Sequence, residues 1–93
     1  MYHLQMLTPD EPFFEGEIES LIIPGEIGYL GILKDHAPLI SHLVQGTVTV
    51  TENEKSKRLY KISEGFFKVK NNQAVLLVET IEELPSQELE DFR

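Results

Sequence analysis

Apolar and polar residues alternate along most of the chain, and this spacing of two residues is typical of strands with one buried face. Residues 2–8 begin the pattern, with large apolar side chains separated by polar ones. Further segments of alternating or continuously apolar character cover residues 46–52, 58–63, 66–70 and 74–80. Polar turns separate these segments at intervals of about 8–12 residues, which predicts an all-β sandwich or barrel.

Residues 13–23 predict one long strand whose outward face changes character along its length. One face, which ends at Ile22, is apolar or small throughout. The other carries three glutamates at every second position and then becomes apolar at Leu21 and Ile23. We expect this strand to be bent or partly covered, with Gly16 as the position for a β-bulge. The glutamates are interpreted as its solvated face rather than as calcium ligands.

Only the C-terminal end has a helical pattern. Ser86 is a suitable N-cap residue, and Leu89 and Phe92 fall on one side of the turn that would follow. This segment is too short to be stable alone, since isolated helices need about 12–15 residues. Because a Leu-Pro pair interrupts the chain before it, we predict a β-domain at residues 1–83 and a separate tail at residues 84–93.

Composition narrows the classes of protein to consider. The 93 residues, of which 41% are hydrophobic and 26% charged, suit a single folded domain. Sixteen acidic residues against eight basic ones give a formal net charge of −8, which argues against binding to nucleic acid or anionic lipid. There is no cysteine, so disulfides and thiolate chemistry are excluded. No apolar run approaches the roughly 20 residues of a membrane-spanning helix, and we expect no direct membrane insertion.

The most distinctive stretch is PGEIGYLGILKDHAPLI at residues 24–40, in which three glycines are spaced three apart. A glycine-rich nucleotide site needs its loop to run from a strand into a helix whose N-terminus faces the phosphates. Here no helical periodicity follows the third glycine, and no Gly-Lys-Ser or Gly-Lys-Thr sequence is present. We therefore interpret the glycines as positions of unusual backbone conformation or close approach, and expect no cofactor.

The residues that most often carry metal binding or catalysis are scattered. His3, His36 and His42 lack the paired spacing of metal ligands on a strand. No serine lies in a Gly-x-Ser-x-Gly turn, and the neighbours Ser41 and His42 point to opposite faces if they lie in a strand. No catalytic, cofactor-binding or metal-binding residue is predicted, and the histidines are expected to pack or to form hydrogen bonds at the surface.

Residues 29–33 and 37–40 are apolar segments held between glycine and proline residues. A loop this apolar either covers the core of its own domain or meets a partner, since aromatic and aliphatic side chains form the centres of protein interfaces. The pattern of residues leaves both interpretations open.

The same stretch resembles the signature of a known family. Its pattern GE-x-G-x-LGI-x-x-x-HAPL, at residues 25–39, is similar to that of the epsilon subunit of F-type ATP synthases, called delta in mitochondria. Three further segments resemble other motifs of that family and occur in the same order, at residues 4–9, 14–18 and 63–72. The similarity covers about residues 2–81. Asp35 and Glu64 replace glycines of the family pattern, and aspartate is among the better non-glycine residues for such a turn.

The resemblance implies a flattened β-sandwich of about ten short strands, with at most a short C-terminal helical turn. It also implies a non-catalytic rotor subunit in the central stalk of a proton-translocating F-type ATP synthase. Such a subunit contacts the gamma subunit and the c-ring and couples ion flow to ATP synthesis. It lies peripherally on the cytoplasmic face of the bacterial plasma membrane, or on the equivalent side of an organelle membrane.

The resemblance further implies which residues meet the partners. The family's contacts with the gamma subunit and the c-ring map onto Thr8, Tyr29, Leu30, Gly31, Ile32, His36, Ala37 and Pro38. Family members commonly continue into a second domain of two long helices, to which inhibition of ATP hydrolysis and, in some members, ATP binding are attributed. Without these helices we expect no ATP binding by this chain.

Two other functions fit the pattern of residues. One is a free-standing β-sandwich adaptor that binds another protein through residues 25–40. The other is a small barrel enzyme that binds a small molecule or a metal ion. Co-purification with a gamma subunit distinguishes the stalk subunit from the adaptor, and metal analysis of the pure protein tests the enzyme hypothesis.

Overall fold

The structure is a computed structural model and describes residues 1–85. Within that range the regular secondary structure is entirely β, as the alternating pattern predicted. The helical turn predicted after Ser86 lies outside the described residues, and the division of the chain between residues 83 and 84 stays a prediction. The ten strands are, in chain order, β1 (Tyr2–Leu7), β2 (Pro12–Ile18), β3 (Ser20–Pro24), β4 (Tyr29–Ile32), β5 (Leu39–Leu43), β6 (Gly46–Asn53), β7 (Ser56–Ile62), β8 (Gly65–Lys70), β9 (Gln73–Val78) and β10 (Ile81–Leu84).

The strands form two five-stranded sheets that pack face to face, which confirms the predicted sandwich. The first sheet has the order β2-β1-β9-β8-β5, and the second has the order β10-β7-β6-β3-β4. Neighbouring strands are antiparallel except for β1 and β9, which run parallel. The parallel pair places the first strand of the chain inside its sheet, between β2 and β9.

The core between the sheets consists of side chains at every second strand position. Tyr2, Leu4 and Met6 of β1 are buried, whereas the residues between them are half-buried. Seventeen hydrophobic residues are buried in the described part of the chain, and no polar or charged residue is. Burying one large aliphatic or aromatic side chain contributes roughly 1.5–3 kcal/mol, so this layer supplies the main favourable free energy of folding.

One hydroxyl crosses the core and joins the two sheets. Tyr2 of the first sheet donates a hydrogen bond from its hydroxyl to the carbonyl oxygen of Ile32 in the second. Burial raises the pKa of the Tyr2 phenol, because the ionised form would lose its hydration. The bond satisfies the buried hydroxyl and ties β1 to the last residue of β4.

The prediction of one long strand over residues 13–23 is wrong, because β2 and β3 belong to different sheets. Glu19 makes the crossing, and its N–H donates to the Thr51 carbonyl oxygen (2.7 Å). The crossing inverts the alternation, so that Ile22 is exposed while the residues on either side of it are buried. Gly16 keeps a regular register with β1, and the expected bulge is not there.

The apolar stretch of residues 25–40 contains the edge strand β4 and the start of the edge strand β5 rather than a single loop. β4 pairs with β3 at the edge of the second sheet, and β5 pairs with β8 at the edge of the first. A bridge between Gly25 and Leu43 joins the sheets on this side. Beside it, the Val44 N–H donates to the Pro24 carbonyl oxygen (3.0 Å). The stretch therefore closes one side of the sandwich, and its apolar side chains are divided between core and surface.

The sandwich has two ends, which we name by the loops they carry. The strand register determines which loops lie at the same end. For example, β1 and β9 run parallel and end at the same level, and β8 begins there. The loops of the turn end are residues 8–11, 25–28, 44–45, 63–64 and 79–80. The loops of the hairpin end are residues 33–38, 54–55 and 71–72, with Glu19 between β2 and β3.

Candidate functional site

The eight residues that the resemblance assigns to partner contacts do not form one patch. Tyr29 and Leu30 follow the tight turn at the turn end, where Thr8 also lies just after β1. Residues 36–38 lie at the hairpin end, in the link between β4 and β5. Because the ends are separated by the length of a strand, the structure divides the predicted site into two parts.

Exposure separates the predicted residues further. Ile32 is completely buried in the core. Its side chain therefore cannot contact a partner, and the prediction for it is corrected: Ile32 anchors β4 beneath the exposed residues. The exposed members are Tyr29, Leu30, Gly31, Ala37 and Pro38, and the half-buried ones are Thr8 and His36.

The tight turn at residues 25–28 is rigid and presents an apolar tip. Gly25 and Gly28 exchange two backbone hydrogen bonds, of 3.0 and 3.2 Å. Gly28 has a φ of 146°, which side chains rarely permit, and a Cβ on Gly25 would lie 3.1 Å from the Gly28 carbonyl oxygen. Ile27, at the tip, is fully exposed. The motif left this position unassigned, so sequence reasoning missed the most exposed apolar side chain of the turn end.

Tyr29 is exposed but held in place. Its hydroxyl accepts a hydrogen bond from the Thr47 N–H (3.4 Å). It also lies beside Gly46, where an added Cβ would come within 3.2 Å of the hydroxyl oxygen. The aromatic ring is therefore fixed over the start of β6 while 61% of the residue remains open to a partner.

The turn end is acidic. His42 of β5 lies among its carboxylates, with ring nitrogens 3.4 Å from Glu26 Oε2 and 3.7 Å from Glu64 Oε1. The loops of this end contain neither lysine nor arginine. Such a surface attracts a partner with basic residues and repels an acidic one. The carboxylates of these loops belong to Asp10, Glu11, Glu26, Glu64 and Glu79.

A second exposed surface, which we name the apolar face, lies on the outside of the first sheet. It consists of Ile40, Phe66 and Leu77, which are 75%, 59% and 46% exposed. Phe66 and Leu77 are directly paired across β8 and β9, and the His42 ring contacts Phe66 edge-on with centroids 5.3 Å apart. A depression runs between these side chains and Val75, and the charged Lys68 also lines it. Contiguous exposed apolar residues of this kind mark interaction sites in soluble proteins.

Sequence reasoning did not assign the apolar face. A half-buried strand has polar residues at its outward positions, yet Phe66 of β8 and Leu77 of β9 lie at such positions. The signal was present as two adjacent apolar pairs, Phe66-Phe67 and Leu76-Leu77, in which one member of each pair must point outward.

The hairpin-end part of the predicted site is a short link with local hydrogen bonds. Asp35 has a φ of 64°, which confirms that it makes the turn for which the family pattern uses glycine. The His36 N–H donates to the Leu33 carbonyl oxygen (3.2 Å), and His36 Nδ1 lies 2.7 Å from the Ala37 carbonyl oxygen. The ring is thereby oriented along the link.

Within residues 1–85, no group of three or more histidine, aspartate or glutamate side chains is placed to hold a metal ion. The same part of the chain contains no helix with the length and apolar character needed to cross a membrane.

Comparison with known proteins identifies the class. Residues 1–84 match the family model of the ATP synthase delta/epsilon chain β-sandwich domain. The chain therefore belongs to this family, as the motifs at residues 25–39 predicted. Membership makes it a subunit of an ATP synthase, an enzyme complex associated with a membrane, and it takes support away from the adaptor and barrel-enzyme alternatives.

Relatives with curated names are epsilon chains. The ATP synthase epsilon chain of Chlorobaculum tepidum is 41% identical over 80 residues, which are 86% of this chain and 91% of that one. The epsilon chain of Moorella thermoacetica is 38% identical over 80 residues, but these are only 60% of its length. The chain thus spans nearly all of one relative and about three fifths of the other.

Solved structures share the fold. A chain of the Euglena gracilis mitochondrial ATP synthase, solved with its F1 part and c-ring, superposes with a TM-score of 0.82 at 21% identity and covers 96% of this chain. A chain of the Tetrahymena thermophila mitochondrial ATP synthase, solved as central stalk and c-ring, gives a TM-score of 0.75 at 13% identity and covers 86%. This chain covers 59% and 64% of those chains.

Proposed function

We propose that this chain is a non-catalytic subunit of the central stalk of a proton-translocating ATP synthase, where it docks on the gamma subunit and the c-ring and helps to couple ion flow to ATP synthesis. The observation that carries the proposal is a stiff sandwich with two adjoining surfaces suited to partners, which meet at His42 and Glu64. These are the acidic turn end, with its apolar tip, and the apolar face of the first sheet. Family membership and structural neighbours solved as stalk and c-ring assemblies support it.

Two surfaces suit a subunit that contacts two partners at once. The turn end offers Ile27, Tyr29 and Leu30 at the same end as five acidic loop residues, which fits a partner loop carrying both apolar and basic residues. The apolar face offers large side chains bordered by Glu64, Lys68 and Glu79, which fits a contact with an apolar centre and a charged rim. Of the residues assigned by the resemblance, we retain Thr8, Tyr29, Leu30, Gly31, His36, Ala37 and Pro38 as partner contacts.

Rigidity is the property that a rotor part needs. A docking surface that yields under load would absorb torque, whereas side chains held by packing and hydrogen bonds transmit it. The reciprocal bonds of Gly25 and Gly28, and the Tyr29 hydroxyl bond, give the turn end that stiffness. We place the subunit on the cytoplasmic face of a bacterial plasma membrane, or on the equivalent side of an organelle membrane, and expect it to bind no ATP.

Capture of the purified gamma subunit and of a gamma–c-ring subcomplex tests the proposal. We expect Ile27→Asp, Leu30→Asp and Phe66→Asp each to weaken capture at least about tenfold, since each puts a charge into an apolar contact. Lys57→Asp is the control, because Lys57 is exposed on β7, which β6 and β3 separate from β4 in the second sheet.

Circular dichroism of each variant separates docking from folding. Ile27 and Phe66 are exposed, so their variants are expected to stay folded. If Leu30→Asp alone unfolds the domain, Leu30 covers the core and is not a partner contact. If the wild-type chain captures neither partner, the proposed function is wrong.

A further inference from the structure

The link between β4 and β5, residues 33–38, carries three of the proposed partner contacts, and its own hydrogen bonds are local. Links of this length at a surface are mobile unless contacts from elsewhere in the fold hold them. In this protein the holding contact comes from the hairpin between β8 and β9, which is distant in sequence but adjacent at the hairpin end.

Asp35 and Asn72 form this contact by exchanging two hydrogen bonds. The Asp35 N–H donates to Asn72 Oδ1 (2.7 Å), and Asn72 Nδ2 donates to Asp35 Oδ1 (2.9 Å). Both residues have a positive φ, 64° and 60°, so each sits in a turn with its side chain directed to the other. Two bonds between the same residues fix orientation as well as distance, and the carboxylate acceptor makes one of them strong.

Asn72 is itself tied to the first sheet. Its carbonyl oxygen accepts a hydrogen bond from the His3 N–H (3.0 Å), and His3 lies in β1, inside the sheet. The attachment therefore runs from β1 through Asn72 to Asp35, whose peptide bond leads directly to His36. The position of His36, the residue after the turn, is therefore set by the sheet rather than by the link.

We propose that Asp35 and Asn72 are positioning residues, whose paired hydrogen bonds hold residues 36–38 in the conformation that meets the stalk partner. This inference rests on the proposed function. Without the pair, the link has to become ordered when the partner binds, and that loss of conformational freedom weakens binding. The aspartate that replaces the family's glycine thus carries a strained φ but also supplies the acceptor that holds the link.

The test compares Asn72→Ala with Asn71→Ala. Both asparagines have a positive φ (60° and 52°), so both substitutions impose similar backbone strain. Asn72 bonds to the link, whereas Asn71 makes no side-chain hydrogen bond within the described part of the chain. We expect Asn72→Ala to bind the gamma–c-ring subcomplex about tenfold more weakly by biolayer interferometry, which equals about 1.4 kcal/mol. Asn71→Ala is expected to bind within about twofold of wild type.

A conservative variant and an independent readout complete the test. Asp35→Asn keeps an Oδ1 acceptor and tolerates a positive φ, so it should bind within about threefold of wild type. Amide hydrogen exchange of His36, whose N–H donates to the Leu33 carbonyl oxygen, should speed up at least about fivefold in Asn72→Ala of the isolated chain and remain unchanged in Asn71→Ala.

The outcomes are distinguishable. Equal binding and equal exchange in the two asparagine variants overturn the positioning role, whatever their melting temperatures. Faster exchange in Asn72→Ala without weaker binding also overturns it, because the link is then ordered by the pair but not used by the partner. A wild-type chain that binds neither gamma nor c-ring overturns the proposed function, and the positioning role falls with it.

Discussion

Gly65 opens β8 at the turn end, and the structure leaves no room for a side chain there. A Cβ at this position would lie 2.1 Å from the Leu77 carbonyl oxygen and 2.9 Å from Val78 Cα, and real Cβ atoms essentially never come within 3.0 Å of another atom. Both atoms belong to the backbone of β9. Alanine is therefore accommodated only if the start of β8 moves away from its neighbour, which disrupts the Gly65–Val78 pair.

For Gly65→Ala we expect the free energy of unfolding to fall by about 2–4 kcal/mol. Overpacking costs about 1–3 kcal/mol, and each weakened ladder bond adds about 0.5–1.5 kcal/mol. The better backbone entropy of alanine returns only about 0.5–1 kcal/mol. In a domain of this size 1 kcal/mol shifts the melting temperature by about 4–8 °C, so the midpoint should fall by about 8–32 °C.

Urea unfolding followed by far-UV circular dichroism and tyrosine fluorescence measures the loss, since the chain has no tryptophan. Gly31→Ala is the matched control, because a Cβ at Gly31 meets no atom within 4 Å. We expect that control to be as stable as wild type or more stable by up to about 1 kcal/mol, since alanine there gains backbone entropy without a clash. A Gly65→Ala loss below about 1 kcal/mol, or an equal loss in Gly31→Ala, would refute the steric reasoning.

Two further predictions concern a charged cluster on the first sheet and the core. The ring nitrogens of His3 face Glu15 (3.0 Å) and Glu17 (3.2 Å), and hydrogen bonding to Glu15, then to Glu17, raises the pKa of His3. A raised folded-state pKa gives stability that is complete below the unfolded value near 6.5 and is lost as pH rises through the folded value. The urea midpoint of the wild type should therefore fall over that interval relative to His3→Gln, and parallel pH profiles would contradict this. Ile32→Ala should cost about 2–5 kcal/mol in the same assay while Ile27→Ala stays within about 0.5 kcal/mol, and similar losses would show that Ile32 is not a core residue.

The alternation of apolar and polar residues in the sequence was sufficient to predict the long strands. β1, β6, β7, β8 and β9 were all predicted within two residues of their observed bounds. The short edge strands β4, β5 and β10 were not, since four or five residues beside glycine or proline give too few positions to establish a period. In β4 the third position is Gly31, which removes one of the side chains on which the pattern depends.

The failure at residues 13–23 has a different cause. Both halves alternate correctly, but the chain changes sheets at Glu19. Even-numbered residues point into the core before the crossing, and odd-numbered residues do so after it. If the alternation is extended unchanged across the crossing, it assigns Ile22 to the wrong face of the sheet. The apolar character of both Leu21 and Ile23 was the available sign that a second strand, with its own buried face, began there.

The candidate site also had a part that the sequence predicted and a part that it did not. The motif located the stretch that carries the tight turn and the link, because glycine and proline spacing records backbone conformation directly. It could not tell that Ile32 points into the core, nor that Ile27 points fully outward. Those orientations depend on which sheet each flanking strand joins.

The sequence by itself determined the fold class, the positions of most strands and the family, since these follow from local alternation and from backbone-restricting residues. Only the tertiary structure decided which apolar residues remain outside. Phe66 and Leu77 meet on the apolar face because β8 pairs with β9 in a particular register, and the loops that carry Asp10, Glu11 and Glu79 share the turn end because parallel β1 and β9 finish together. Asp35 meets Asn72 across 37 positions for the same reason. Contacts between distant segments are set by strand pairing and by the closing of two sheets, which no local pattern records.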